Sequence, residues 1–236
     1  MKVVAVASQK GGSGKTTLAG HIAVQAERMG GGPVALVDTD PQGSLAEWWN
    51  VRQAETPAFV ATGVARLADD IRRLRALGMR LLVIDTPPAI AATITEVVRL
   101  ADLVIIPARP SPHDLRAAGA TVELVERLDR PLVFVINSAQ PRARITSEAA
   151  IALSQHGTLA PSIIHNRTGF AASMIDGRTV MEVPGEVRAA DEVAKLWEYL
   201  DNRLDGQRRT VLAMDPPRAQ QRLFGVRQQP VLQESL

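Results

Sequence analysis

The run Lys10-Gly11-Gly12-Ser13-Gly14-Lys15-Thr16-Thr17, directly after the apolar stretch Val3 to Ala7, packs three glycines and two lysines into eight positions. Glycines at this density allow positive φ and let successive backbone N–H groups turn toward one concave face, which makes a nest for an anion. Lys15 adds a cation beside phosphate oxygens, and Thr16 offers a hydroxyl to Mg²⁺. The chemistry indicated is nucleoside triphosphate binding, with Gly11, Gly12, Ser13, Gly14, Lys15, Thr16 and Thr17 as the phosphate-binding set. The usual spacing Gly-x4-Gly-Lys-Ser/Thr takes its first glycine from residue 9, which here is Gln9. The loop instead carries Lys10, one lysine more than that pattern needs.

Three carboxylates can complete such a site. Asp85 closes the apolar run Leu81 to Ile84 and precedes Thr86-Pro87-Pro88, so it falls at a strand end, placed to hold the Mg²⁺ shell opposite Thr16. Asp38 and Asp40 follow the run Val34 to Val37, and their spacing of two puts them on one side of an extended strand end. One could serve the metal while the other orients an attacking water; both could also form the turn and cap the next helix. Asn137 ends the run Leu132 to Ile136, and its amide can both donate and accept at adenine. Trp48 and Trp49 read as packing residues. The four histidines form no spaced metal set and read as structural or surface groups.

These side chains converge only if the chain between them brings several strand ends together. Apolar runs alternate with helix-like stretches throughout, the pattern of a mostly parallel sheet covered on both faces, and the fold class is α/β. Strands are predicted over 2–8, 33–38, 58–61, 80–85, 102–107, 131–136 and 161–165. Helices are predicted over 15–29, 43–53, 64–77, 90–99, 113–128, 145–155 and 186–203. Every motif follows a strand and so falls at the carboxyl edge, where open α/β sheets bind ligands. With 236 residues, 46% of them hydrophobic, one core is expected in a domain over 1–204. Residues 205–236 lose periodicity and hold Pro216, Pro217 and Pro230 among arginines and glutamines, and are expected to form a mobile tail. The absence of cysteine excludes a disulfide scaffold and a thiolate-held iron–sulfur cluster. No apolar run reaches the roughly 18 to 20 residues of a membrane span. The first strand begins by residue 2, so no leader or added DNA-binding domain is expected, and a cytoplasmic location is.

With its strand contexts, this set of motifs resembles the deviant Walker ATPases of the ParA and MinD group, P-loop NTPases, and among them the small ParF-like partition ATPases. The resemblance rests on the Lys10–Thr17 loop, Val34–Ser44, Leu81–Pro88, Ala101–Asp114 and Leu132–Asn137, and spans most of residues 1–203. It implies a twisted P-loop sheet that binds Mg²⁺-ATP and hydrolyses it as a homodimer formed in the ATP state. Lys10 would cross a face-to-face dimer to the partner's nucleotide, acting with Lys15 and with Asp40, which positions the water. Thr16, Asp38 and Asp85 would serve the metal, and Lys10 and Asn137 would contact nucleotide. Asp114, in Ser111-Pro112-His113-Asp114, would orient Lys10 or lie at the dimer interface, with capping of the next helix as the alternative. Asn166–Phe170 through Val183-Pro184 resembles a second base-side loop. A small ParB-like or cargo-adaptor partner protein would stimulate hydrolysis in a cycle that segregates or positions a cargo, plasmid or chromosome partition foremost.

Net charge is only +2, but Arg142, Arg144, Arg167, Arg178, Arg188, Lys195 and Arg203 crowd the C-terminal third. An aromatic content of 3% argues against stacking on single strands. Non-specific binding of double-stranded DNA through its phosphates fits better, and with it a nucleoid-associated location. The MinD branch instead uses a C-terminal amphipathic helix at a membrane. Arg222–Arg227 has some of that basic and apolar character, but Gly225 and Pro230 limit a helix there, and membrane association is not expected. Related amide-forming and carboxylase ligases, a third class, need a small-molecule pocket and usually lack the Lys10 signature.

Overall fold

The computed structural model describes residues 1–88 and 91–214, with side chains described through residue 206. The elements in chain order are β1 (Lys2–Val6), α1 (Lys15–Arg28), β2 (Val34–Asp38), α2 (Ser44–Asn50), β3 (Ala58–Phe59), α3 (Leu67–Ala76), β4 (Leu81–Asp85), α4 (Ala91–Leu100), β5 (Leu103–Ala108), α5 (Pro112–Arg127), β6 (Leu132–Ile136), α6 (Arg144–Ser154), β7 (Thr158–Leu159), α7 (Thr168–Met174) and α8 (Val187–Met214). Short 3-10 turns lie at Val64–Arg66 and Val180–Glu182. The strands form one sheet in the order β3-β2-β4-β1-β5-β6-β7, every pairing parallel.

Alternation along each strand divides the core into two layers. Val4, Val6, Leu36, Val83, Ile105 and Val135 face a cluster completed by Leu18 and Ile22 of α1, Trp48 of α2, Phe170 of α7 and Val193, Leu196 and Trp197 of α8. Val3, Ala5, Val37, Leu82, Ile84, Ile106 and Phe134 face the opposite layer, built from Ile71 of α3, Val97 of α4, Val122 of α5 and Leu153 of α6. Neighbouring residues of one strand thus enter opposite layers, as a period of two requires. Burial on both faces is why the inner strands are continuous apolar runs rather than alternating ones.

The predicted strand at 161–165 is displaced. The edge strand is Thr158–Leu159, and the later segment touches the sheet through the Ile164 amide on the Ile136 carbonyl and a single bridge between Ala139 and His165. Ile164 is nonetheless buried, which is why its apolar neighbourhood reads as strand. Helix α7 falls in a stretch read as loop, and α8 extends past residue 204 to Met214. The remainder of the expected tail, with Arg222–Arg227, lies outside the described residues.

Candidate functional site

The loop after β1 is shaped by Gly12 (φ 72°) and Gly14 (φ 92°), both in the left-handed region. Gly14 is the N-cap of α1 and no side chain caps that helix, so its first-turn amides remain available to an anion at the positive end of the helix dipole. The loop is braced from within. The Lys10 carbonyl accepts from Ser13 Oγ (3.3 Å) and from Lys15 Nζ (3.2 Å), and Gln9 ties the loop to α5 through Thr121 and Ala120. Burial lowers the pKa of Lys15, against the opposing fields of Asp85 and Asp40. Lys10 is half-buried, and among the described residues its ammonium makes no hydrogen bond or ion pair.

Asn137 stands where the end of β6 puts it, but behind the loop. Its Nδ2 donates to the Ser13 carbonyl at 2.7 Å, and a Cβ on Gly14 would come within 2.1 Å of that nitrogen. The side chain is buried and does not line the cleft. Its donor braces the loop.

The carboxylates meet across neighbouring strands, Asp38 and Asp85 being register partners of β2 and β4. Thr16 Oγ1 donates to Asp85 Oδ2 at 2.5 Å, while Thr39 donates through both its amide (3.0 Å) and its hydroxyl (2.6 Å) to the Asp85 carbonyl. Burial pushes Asp85 up to about 7, with the Thr16 bond opposing. Its Oδ1 is buried without a hydrogen-bond partner. Asp38 Oδ2 accepts from Leu45 and Ala46 amides (2.9 and 3.1 Å) and its Oδ1 from Asp40 (2.9 Å). Asp38 therefore caps α2 from a distance, the alternative its spacing left open, and burial raises its pKa. Asp40 accepts from the Gln42 amide (3.0 Å) and faces the cleft.

These residues fit Mg²⁺-ATP. The orphaned Asp85 oxygen beside the Thr16 hydroxyl is a hard oxygen pair of the kind Mg²⁺ takes. No group of three or more His, Cys, Asp or Glu among the described residues could hold a metal, so a cation here would draw its other ligands from phosphate and water, as Mg²⁺ commonly does. Lys15, Thr16 and Thr17 would hold the phosphates, with Asp85 on the metal.

The cleft, of about 690 Å³, is also lined by residues whose spacing gave no signal: Arg109 after β5, Glu47 and Trp48 of α2 with Val51 just past it, and Met174 and Ile175 at the end of α7. Trp48 is mainly a packing residue, as expected, its indole donating to the Arg178 carbonyl (3.0 Å). At α5 the N-cap is Ser111, not Asp114; Asp114 donates its amide to Ser111 Oγ (3.1 Å) and accepts from that hydroxyl (2.5 Å), leaving its buried Oδ1 without a partner. The C-terminal cations do not form one free patch. Arg144, Arg167, Arg178 and Lys195 each pair with a carboxylate, Glu148, Glu192, Asp176 and Asp191 respectively.

Residues 4–180 match the family described as the CobQ/CobB/MinD/ParA nucleotide binding domain. The chain is 30% identical over 203 residues to maintenance of carboxysome distribution protein A of Halothiobacillus neapolitanus, covering 82% of this chain and 93% of that one. It is 27% identical to Protein ParA of Rhizobium radiobacter, covering 80% of each. Among solved structures, an ATP complex of Cyanothece McdA superimposes with a TM-score of 0.71 at 18% identity over 85% of this chain and 96% of that one. A chain of the Aquifex aeolicus MinC:MinD cell division protein complex gives 0.72 at 17% over 86% and 96%.

Proposed function

Because the chain belongs to the CobQ/CobB/MinD/ParA family of nucleotide-binding domains, we propose that it is a ParA-type ATPase that dimerises on Mg²⁺-ATP, binds double-stranded DNA non-specifically and positions a cargo. The observation that carries this reading is the loop with two lysines in different states. Lys15 is drawn into its own loop at 3.2 Å from the Lys10 carbonyl, whereas the Lys10 ammonium is unpaired among the described residues. A cation without an internal partner at a phosphate site is suited to act in trans on a second subunit's phosphates.

When bound, Mg²⁺ would neutralise charge on the transferring phosphoryl group. Lys15 and the α1 amides hold the phosphates; Asp85 keeps the Thr16 hydroxyl oriented; Asp40, at the cleft wall, is placed to orient water; and Asp38 fixes α2 against the β2 end. Lys10→Ala is expected to keep nucleotide affinity within about threefold and to lose turnover by tenfold or more, while Lys15→Ala loses binding. Unchanged turnover in Lys10→Ala would sink the trans role. A small ParB-like or cargo-adaptor protein is the proposed stimulator of hydrolysis, and raised turnover on adding such a partner is its test.

Relatives named for carboxysome distribution stand beside ParA and the chromosome-partitioning ATPase Soj, so the proposed cargo class widens from plasmids and chromosomes to protein bodies. For DNA, retention on plasmid in Mg²⁺-ATP should fall steeply between 50 and 200 mM salt, as phosphate binding by counterion release requires. Salt-independent retention, or retention on liposomes instead, would contradict it. No helix among the described residues is long and apolar enough to cross a membrane.

A further inference from the structure

Arg109 follows β5, which lies beside β1 in the sheet with Ile105 opposite Val6, so its side chain arises next to the phosphate loop. It is exposed, yet its guanidinium lies against the loop: a Cβ on Gly12 would sit 3.7 Å from one of its terminal nitrogens. Among the described residues the guanidinium makes no hydrogen bond or ion pair. It lines the cleft shared with Lys15, Thr16 and Asp40. The cleft is electrically divided. Asp40 and Glu47 line it from the loop after β2 and from α2, whereas Lys15 and Arg109 line it from the start of α1 and the loop after β5. Lys15 is buried within the loop, whereas Arg109 is exposed and lies beside Gly12.

We infer that Arg109 is a second cation, supplied by the same subunit, for the terminal phosphate of the bound nucleotide, and that it sets preference for triphosphate over diphosphate. This rests on the nucleotide reading of the cleft. A planar guanidinium offers paired N–H donors that match phosphate oxygens, and its energy is gained only if the terminal phosphate is present.

The test is fluorescence titration of the full chain with Mg²⁺ and labelled ADP or a labelled non-hydrolysable ATP analogue. Arg109→Ala should weaken the triphosphate tenfold or more and the diphosphate by less than threefold, with Arg109→Lys in between. Equal losses for both nucleotides, or no loss, overturn the inference while leaving the nucleotide site standing, provided the wild type binds and Lys15→Ala does not. If the wild type binds neither nucleotide, the nucleotide reading fails first and this inference with it. Because the guanidinium has no described partner, both variants should melt as the wild type does.

Discussion

His21 shows how a side chain with no catalytic part can still tie α1 to a distant segment of the chain. Nearly two turns into α1, it is fully buried, with Nδ1 on the Thr17 carbonyl (2.7 Å) and Nε2 accepting from the Val180 amide (3.2 Å). That pairing needs the neutral ring, and burial lowers its pKa from 6.5 to about 4. As pH falls, the unfolded chain therefore takes up this proton first, and stability declines between about pH 6.5 and 4, then levels. The size is about 3 kcal/mol at most. Urea unfolding at pH 7 and pH 4.5 should show a larger loss for wild type than for His21→Gln; equal losses would contradict the assignment. In the sequence, His21 reads only as one histidine without metal partners. The phosphate loop, Thr16 and Asp85 are legible because their chemistry is tied to fixed spacing. Arg109 is not, since a lone cation at a strand end has no signature. Asn137 was legible as a strand-end amide, but only the fold shows that its amide reaches the Ser13 carbonyl.

An ion pair adds to the Trp48 bond in holding α2 to the far side of the cleft. Arg52, just past its end, makes a bidentate contact with Glu182 (2.6 and 2.9 Å) and also donates to the Gly177 carbonyl (2.7 Å). Its side chain is 3% exposed. Burial pushes Glu182 up, but its bonds to Arg52 and Thr179 outweigh this and hold it below its ordinary value. Arg52→Ala would leave that carboxylate half-paired, and a loss of about 3 kcal/mol is expected, read by denaturant titration. A loss under about 1 kcal/mol would show that the pair does not secure the α2 side of the cleft. The elements that carry such contacts were unequally readable. The inner strands announce themselves by β-branched runs buried on both faces. β7 does not, because two residues, Thr158 and Leu159, have no period, and the apolar pair Ile163-Ile164 beside them is the stronger pattern. α7 escapes because Thr168–Met174 is two turns long and begins Thr-Gly, a turn-like start.

The strand order β3-β2-β4-β1-β5-β6-β7 gathers the phosphate loop, Asp38, Asp85 and Arg109 at adjacent strand ends, a juxtaposition that no local pattern in the chain specifies. Alternating apolar and helical stretches imply a parallel sheet, and the carboxyl edge follows from that alone; which strands are neighbours comes from crossovers of many residues. The same arrangement leaves the Lys10 ammonium, in the phosphate loop, without a hydrogen bond or ion pair among the described residues. If that cation serves a second subunit, association of the whole molecule depends on the nucleotide held by the first. Sedimentation velocity of the full chain in Mg²⁺-ATP against Mg²⁺-ADP tests this most directly. A dimer in ATP, a monomer in ADP, and a monomer in both for Lys10→Ala is the expected result, and one mass for the wild type in both nucleotides would contradict the account.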